Sequence, residues 1–234
     1  MKIALIGYGK MGHMIEEVAL RRGHEITARI DAGDAFDLKG ADVAIEFTTP
    51  GTAKDNILRA WAQDVPVVCG TTGWEVLKVK DERTKEEGKR IEMKGDGQSR
   101  ITFVDEKGKT MLVWSSNFSV GVNIFFHLNQ ELAAVMAGQP QYTPSITETH
   151  HIHKLDKPSG TAKTLAEQIQ HTKQNIPHYE CPIESIREGE VPGTHEVKWD
   201  SEEDTIVITH IAKGRKGFAL GAVLAAEEIC NIYA

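Results

Sequence analysis

The 234-residue chain has only three cysteines, Cys69, Cys181 and Cys230, and no two of them form a C-x-x-C pair. This spacing suggests neither a disulfide framework nor a thiolate zinc site, so we expect three reduced thiols in a cytoplasmic protein. Long apolar runs are also missing, and none approaches the roughly 18 residues of a membrane span. The apolar opening IALIG is too short for the core of a secretory signal and predicts a strand instead.

Basic residues do not outnumber acidic ones, and the formal net charge is −7. A general nucleic-acid binder needs a basic face, so the charge balance argues against that class of protein. The composition, 40% hydrophobic and 26% charged, is ordinary for a folded globular chain. A length of 234 residues allows one large domain or two modest ones.

The chain begins with the strand, glycine turn and helix of a dinucleotide site. An apolar run at residues 3–6 predicts a buried strand, and Gly7, Gly9 and Gly12 follow it as G-x-G-x-x-G. The first glycine of this motif makes a tight turn, the second admits a pyrophosphate, and the third packs the helix on the strand. Asp31 ends the next predicted strand, where an acidic side chain binds the adenosine ribose.

The same acidic residue bears on the choice of cofactor. Asp31 favours NADH because its carboxylate would repel the 2′-phosphate of NADPH, and Ala32 beside it supplies no compensating cation. Arg29 or Lys10 would soften this preference if either reached the phosphate, but both also fit ordinary surface charges. We therefore expect NADH as the favoured cofactor and leave NADPH open.

Two more strands are predicted in ADVAIEF and VPVVCG, with a helix between them. Small polar loops follow these strands at residues 48–50 and 70–73, where ordinary turns would look similar. Ligands of open parallel sheets bind at the carboxyl ends of strands, so we expect both loops to edge the nicotinamide. The charge-dense residues 75–94 predict a solvated helix face, and glycine turns at 96–97 and 107–108 predict a hairpin.

Residues 148–162, ETHHIHKLDKPSGTA, combine three histidines with two lysines and the start of a helix. Ser159 or Thr161 would cap that helix, and the free N–H groups of its first turn would bind an anion. Lys154 adds a positive charge, and the imidazoles titrate near neutral pH. This combination suits a small carboxylate substrate that takes up a proton during the reaction.

Two other interpretations of the strip remain open. His150, His151 and His153 could join His195 or His210 around zinc, although neighbouring residues of a strand point to opposite faces and a lysine would oppose the cation. The strip could also be a solvated, histidine-rich loop. Neither interpretation explains why a helix start and Lys154 stand together in the strip.

Five ordered blocks, GYGKMG, EFTTP, CGTTGW, SSNFSVGVN and the strip, resemble the dihydrodipicolinate reductase family, and RKGFALGAVLAAE is similar to its closing helix. The resemblance implies an α/β fold with a Rossmann dinucleotide-binding domain at residues 1–118 and 214–234. A mixed α/β substrate-binding and oligomerisation domain would occupy residues 119–213. It further implies a homotetramer that uses NAD(P)H to reduce a cyclic imine dicarboxylate to tetrahydrodipicolinate, in lysine and diaminopimelate biosynthesis.

The resemblance also implies roles for individual residues. His150 would be the general acid, with Lys154 assisting and holding a substrate carboxylate. His151 and the backbone at Gly160 and Thr161 would bind the carboxylates, and no metal is implied. The residues implied for the cofactor are Gly7, Gly9, Lys10, Met11, Gly12, Asp31, Phe47, Thr48, Gly70, Thr72, Ser116, Asn117, Phe118 and Arg215.

Two features depart from the family pattern. The stretch between GTTG and NFSVG is about twice the usual length, which predicts an inserted charged hairpin within about residues 91–109. The chain also ends at Ala234, without the short closing segment common in the family. Two alternatives stay open: another nicotinamide dehydrogenase of amino or keto acids, and a dinucleotide-binding regulatory protein with a vestigial site.

Overall fold

The computed structural model describes residues 1–74, 100–105, 107–172 and 181–231. These residues form two compact units, one from residues up to 120 together with 216–231, and one from Gly121–Arg215. The elements are β1 (Lys2–Ile6), α1 (Lys10–Arg21), β2 (Glu25–Ile30), β3 (Val43–Glu46), α2 (Ala53–Trp61), β4 (Val67–Cys69), β5 (Arg100–Val104), β6 (Thr110–Ser115), α3 (Val120–Met136), β7 (Thr143–His150), α4 (Gly160–Thr172), β8 (Ile183–Arg187), β9 (Thr194–Asp200), β10 (Thr205–Ile211) and α5 (Lys216–Asn231).

The first unit is built on a six-stranded sheet of order β2-β1-β3-β4-β6-β5, in which every pairing except β5–β6 is parallel. Strands β1, β3 and β4 are buried on both faces, because α1 and α5 cover one face and α2 covers the other. This is the predicted Rossmann-type α/β fold. The strand order reverses between β1 and β3, which is where ligands bind in such sheets.

An antiparallel hairpin forms the far edge of this sheet. Strands β5 and β6 pair around a turn in which Gly108 has a φ of 83°. Strand β6 also pairs in parallel with β4, so this hairpin extends the dinucleotide sheet. The charged helix predicted at residues 75–94, and the beginning of the predicted inserted hairpin, lie outside the described residues.

The second unit has a four-stranded sheet of order β10-β9-β7-β8, with β7–β8 parallel and the other pairs antiparallel. Helices α3 and α4 pack on one face, against the fully buried Ile146, Val197 and Trp199. Burial alternates along β7, so Glu148 and His150 share the face that holds these core residues. Two chemical groups of the predicted strip therefore lie inside the unit, next to its core.

No helix in the described part of the chain is long and apolar enough to cross a membrane. All three cysteines are free thiols, as predicted, and Cys69 and Cys181 are buried.

Candidate active site

The glycine turn after β1 has the shape of a pyrophosphate cradle. Gly7 has a φ of 92°, and a methyl group there would lie 2.7 Å from the carbonyl carbon of Phe47. A methyl group at Gly12 would lie 3.3 Å from the carbonyl carbon of Gly7, so α1 packs directly on the turn. Gly9, the N-cap of α1, is exposed and a methyl group there would meet no atom within 4 Å. Open space at the second glycine, before a helix N-terminus, fits the phosphates of a dinucleotide.

Phe47 joins several of the predicted cofactor residues. Its ring covers Gly70, where a methyl group would lie 2.9 Å from Cε2 of that ring, and its centroid lies 6.2 Å from that of Phe118. Its backbone lies against Gly7, as described above. Thr48, the next residue, donates its N–H to the hydroxyl of Thr71 at 2.8 Å. The loops after β1, β3, β4 and β6 thus meet at one end of the sheet.

A buried carboxyl group supports these loops, and the sequence analysis did not single it out. Glu46 is fully buried at the end of β3 and accepts hydrogen bonds from the hydroxyl of Thr48 and from Sγ of Cys69, the latter at 3.0 Å. Burial, followed by the Glu46 charge, raises the pKa of the Cys69 thiol. The indole N–H groups of Trp74 and Trp114 both donate to the carbonyl of Thr71 at 2.8 Å. Glu46 ends the strand sequence VAIE, in which no local pattern indicates this role, because only the fold brings Glu46, Thr48 and Cys69 together.

Two charged residues expected from the sequence to influence cofactor choice, Asp31 and Arg29, lie in different surroundings. Asp31 is exposed just after β2, and its carboxylate accepts the N–H of Ala32 at 2.9 Å. The guanidinium of Arg29 is paired with Glu16, which also accepts the hydroxyl of Tyr8. The hydrogen bonds with Glu16 raise the pKa of Arg29 further above its ordinary value. Arg29 is therefore engaged within the protein, whereas Asp31 faces solvent.

The remaining predicted cofactor residues lie in varied surroundings. Asn117 caps the N–H of Ser119 through its side-chain oxygen at 2.9 Å. Met11 packs against the core beneath α1. Four others are exposed: Lys10, Thr72, Ser116 and Arg215. Arg215 belongs to the second unit, immediately before α5.

The second unit contains a buried histidine–carboxylate pair on β7. Nδ1 of His150 is hydrogen-bonded to one oxygen of the fully buried Glu148. The other oxygen accepts Nη2 of Arg187 at 2.9 Å and the N–H of Ser159 at 3.3 Å. An ionised carboxylate only accepts hydrogen bonds, so Nδ1 of His150 carries the hydrogen and Nε2 is the second, unprotonated nitrogen of the neutral ring.

Burial and charge set the protonation states of this pair. Burial lowers the pKa of His150, and although Glu148 opposes this effect, the positive charges of Lys154 and Arg187 add to it. Burial alone would raise the pKa of Glu148, but the hydrogen bonds from Arg187 and His150 outweigh it and the pKa is lowered. At neutral pH the free protein therefore combines an ionised glutamate with a neutral histidine.

Groups suited to binding an anion follow in the same strip. Nζ of Lys154 lies 2.8 Å from Oδ1 of Asp156. Helix α4 begins at Gly160, and the hydroxyl of Ser159 accepts the N–H of Ala162 at 3.2 Å, so Ser159 is the cap. The N–H groups of Gly160 and Thr161 open the first turn, where no intrahelical acceptor is available. Nδ1 of His151 is buried without a hydrogen-bond partner among the described residues.

His195, on β9, completes the cluster and offers a test of the metal alternative. Its Nε2 lies 3.1 Å from the hydroxyl of Ser159, and burial, followed by the His150 charge, lowers its pKa to about 4. Glu148, His150 and His195 each place a potential ligand atom within 4.8 Å of the others, a spacing that a metal ion could use. However, Arg187 already neutralises the carboxylate. The surroundings are cationic, and the arrangement fits proton transfer better than cation binding.

Arg187 and Gly193 were missed by the sequence analysis. Strand pairing puts Arg187 directly opposite His150, and Gly193, with a φ of 149°, approaches the imidazole so closely that a methyl group would lie 3.0 Å from Nε2. Neither residue stands in a recognisable motif. The only sequence signal is the glycine of the VPG turn, which indicates a bend but not its contact.

A glycine turn at the reversal point of a parallel sheet, with a buried acid–base pair in a second α/β unit, defines a nicotinamide-dependent oxidoreductase. Comparisons with known proteins identify the family. Models described as dihydrodipicolinate reductase, N-terminus and C-terminus, match residues 1–93 and 121–233. The chain belongs to the dihydrodipicolinate reductase family, and is accordingly an NAD(P)H-dependent oxidoreductase of lysine and diaminopimelate biosynthesis.

Individual relatives agree with this family. The 4-hydroxy-tetrahydrodipicolinate reductase of Christiangramia forsetii is 42% identical, over 97% of this chain and 91% of its own. That of Staphylococcus aureus strain Newman is 34% identical, over 99% of this chain and 95% of its own. The dipicolinate-bound dihydrodipicolinate reductase of Paenisporosarcina sp. TG-14 shares the fold, with a TM-score of 0.69 at 20% identity over 99% of this chain and 95% of that one.

Proposed function

We propose that this chain reduces the cyclic dicarboxylate of its family, 4-hydroxy-tetrahydrodipicolinate or its dehydrated form, to tetrahydrodipicolinate, with His150 as the general acid. The observation that carries the proposal is the hydrogen bond between His150 and the buried Glu148, which fixes the imidazole with Nε2 as its free end. A nicotinamide bound to the first unit would supply a hydride for the conjugated ring. The protein must supply the proton, and an imidazole whose Nδ1 is held by a carboxylate is suited to that task.

The proton step requires that His150 be protonated on Nε2 when the substrate is bound. Burial and the nearby cations lower its pKa in the free protein. A substrate with two carboxylates brings negative charge that offsets these cations and stabilises the imidazolium. We therefore assign to the substrate itself the role of restoring the acid form of His150.

Binding of the carboxylates falls to the strip and the start of α4. Lys154 supplies an ammonium group, and Gly160 and Thr161 supply the first N–H groups of a helix that is capped by Ser159. Gly160 is exposed, and no atom lies within 4 Å of where its side chain would begin. Nδ1 of His151, which is buried and has no hydrogen-bond partner in the part of the chain that the structure describes, gains one if it meets a carboxylate oxygen.

The cofactor is proposed to bind the first unit, with NADH favoured over NADPH. Asp31 is exposed where a ribose would lie, and its charge opposes a 2′-phosphate. Arg29, the cation that could have compensated, is held by Glu16. Lys10 is exposed and leaves a smaller affinity for NADPH.

We further propose a homotetramer in the cytoplasm. Among the described residues of the second unit, helices pack on one face of its sheet, and on the edge strand β10 the side chains of Val207 and Ile211 are exposed, the latter by 65%. Exposed apolar side chains on a sheet favour association between copies of the chain. The three free thiols fit a reducing compartment.

The test is the oxidation of NADH by freshly generated substrate, with wild-type protein and His150→Ala. Loss of a general acid typically costs about 10²- to 10⁴-fold in rate, so kcat should fall by this amount while the Kd of NADH stays unchanged. The control is His127→Ala, which makes the same substitution at an exposed histidine. Gln168→Ala is unsuitable as a control because it alters a hydrogen bond in the core. If His150→Ala retains most of the rate, the proton comes from another group.

A further inference from the structure

Arg187 has contacts that the proposed function does not use. It ends β8, and only 8% of its side chain is exposed. Besides the carboxylate of Glu148, its guanidinium reaches the carbonyl oxygens of Lys154, at 3.2 Å from Nε, and of Asp156, at 2.5 Å from Nη2. A buried guanidinium is costly unless its donors are satisfied, so this set of acceptors is specific.

One side of Arg187 controls the acid. Its hydrogen bond and charge stabilise the ionised form of Glu148, which is what makes Nδ1 of His150 a donor. Replacing that carboxylate by a neutral amide would remove the negative charge that opposes the lowering of the His150 pKa. It would also allow an amide N–H to face Nδ1, which selects the other tautomer.

The other side of Arg187 controls the lysine. The carbonyl oxygens of Lys154 and Asp156 both accept from the same guanidinium, which fixes the backbone on each side of Leu155. Asp156 in turn holds Nζ of Lys154 at 2.8 Å. Arg187 therefore both holds the loop that carries Lys154 and stabilises the ionised form of Glu148.

We propose that Arg187 and Glu148 are positioning residues that couple His150 to Lys154, so that acid and carboxylate-binding group are held in one geometry. This inference rests on the proposed function of His150 and Lys154. A lysine at position 187 could keep the charge but not the planar, divergent donors that reach four acceptors at once, the Glu148 carboxylate and the carbonyl oxygens of Lys154, Asp156 and Ile186. This coupling predicts that substitution of Arg187 changes mainly kcat/KM, whereas substitution of Glu148 changes mainly the pH profile.

The experiment compares Arg187→Lys and Glu148→Gln with Arg21→Lys, a matched control on an exposed, ion-paired arginine of α1. Arg187→Lys should lower kcat/KM for the dicarboxylate on the order of 10²-fold, the loss expected from misplacement by about 1 Å, with little change in the pH profile. Glu148→Gln should move the falling limb of kcat/KM to lower pH. The Kd of NADH should be that of wild type in all three variants.

If Arg187 and Glu148 had a purely structural role, their variants would lose stability, but Arg187→Lys would not selectively lower kcat/KM and Glu148→Gln would not selectively shift the pH profile. Arg187→Lys with wild-type kcat/KM, or Glu148→Gln with an unshifted profile, overturns the proposal. If either variant fails to fold, the imidazole tautomer of His150 in the wild-type protein decides by ¹⁵N NMR: a neutral ring protonated on Nε2 instead of Nδ1 overturns it. Absence of turnover by wild-type protein that binds NADH would contradict the proposed function, and the NMR result would still test the positioning.

Discussion

The contact between Phe47 and Gly70 predicts a large effect from a single methyl group. In Gly70→Ala the new Cβ would lie 2.9 Å from Cε2 of Phe47 and closer still to two other ring atoms. Optimal carbon separations are about 3.5–4.0 Å, so the ring has to move by about 1 Å or more. Misplacement of this size can cost about 10²-fold. We expect kcat/KM for NADH to fall by about 10- to 100-fold, because the loops that meet at Phe47 are proposed to line the cofactor.

The assay is steady-state oxidation of NADH together with direct measurement of its Kd. Overpacking also costs about 1–3 kcal/mol of stability, so thermal unfolding is recorded for each variant and activity is compared well below Tm. Gly51→Ala is the matched control, since a methyl group there would meet no atom within 4 Å. Wild-type KM and Kd for NADH in a folded Gly70→Ala protein would refute the placement of Phe47 and Gly70 beside the cofactor.

Two further predictions concern the cofactor and the assembly. Asp31→Ala should weaken NADH binding and raise the NADPH to NADH ratio of kcat/KM, by about 10- to 150-fold if one charge-assisted hydrogen bond of about 1.5–3 kcal/mol is lost; an unchanged ratio and NADH affinity would remove Asp31 from the site. Ile211→Glu should reduce the mass measured by light scattering below that of a tetramer, with Leu20→Glu, on the exposed surface of α1, as control. A monomeric wild-type protein would contradict the proposed assembly.

The fold of the first unit could be predicted because its determinants are local. The run at β1, the three glycines and Asp31 lie within one strand–helix–strand segment, and their spacing fixes both the turn and the pairing of β1 with β2. The start of α4 was predictable for the same reason, since a cap needs only the residues of one turn.

The chemistry around His150 was only half predictable. The strip contains Glu148, His150 and Lys154, and a strand brings the first two to the same face. Arg187 and His195 reach them only through the register of β8 and β9 on either side of β7. Their sequence neighbours give no chemical signal, so His195 could be named only as one of two possible partners of a zinc ion, and Arg187 was not selected over other arginines.

The cations around His150 predict a specific dependence of the reaction on pH. Burial lowers the pKa of His150 in the free protein below its ordinary value of 6.5, and the charges of Lys154 and Arg187 add to this effect. The acid form is the reactive one, so kcat/KM should fall as pH rises through this lowered value. Two bound carboxylates neutralise the same cations, so kcat should persist to higher pH before it falls. The two profiles, measured with saturating NADH, should therefore separate. Coincident profiles would show that the substrate does not raise the pKa of its own acid.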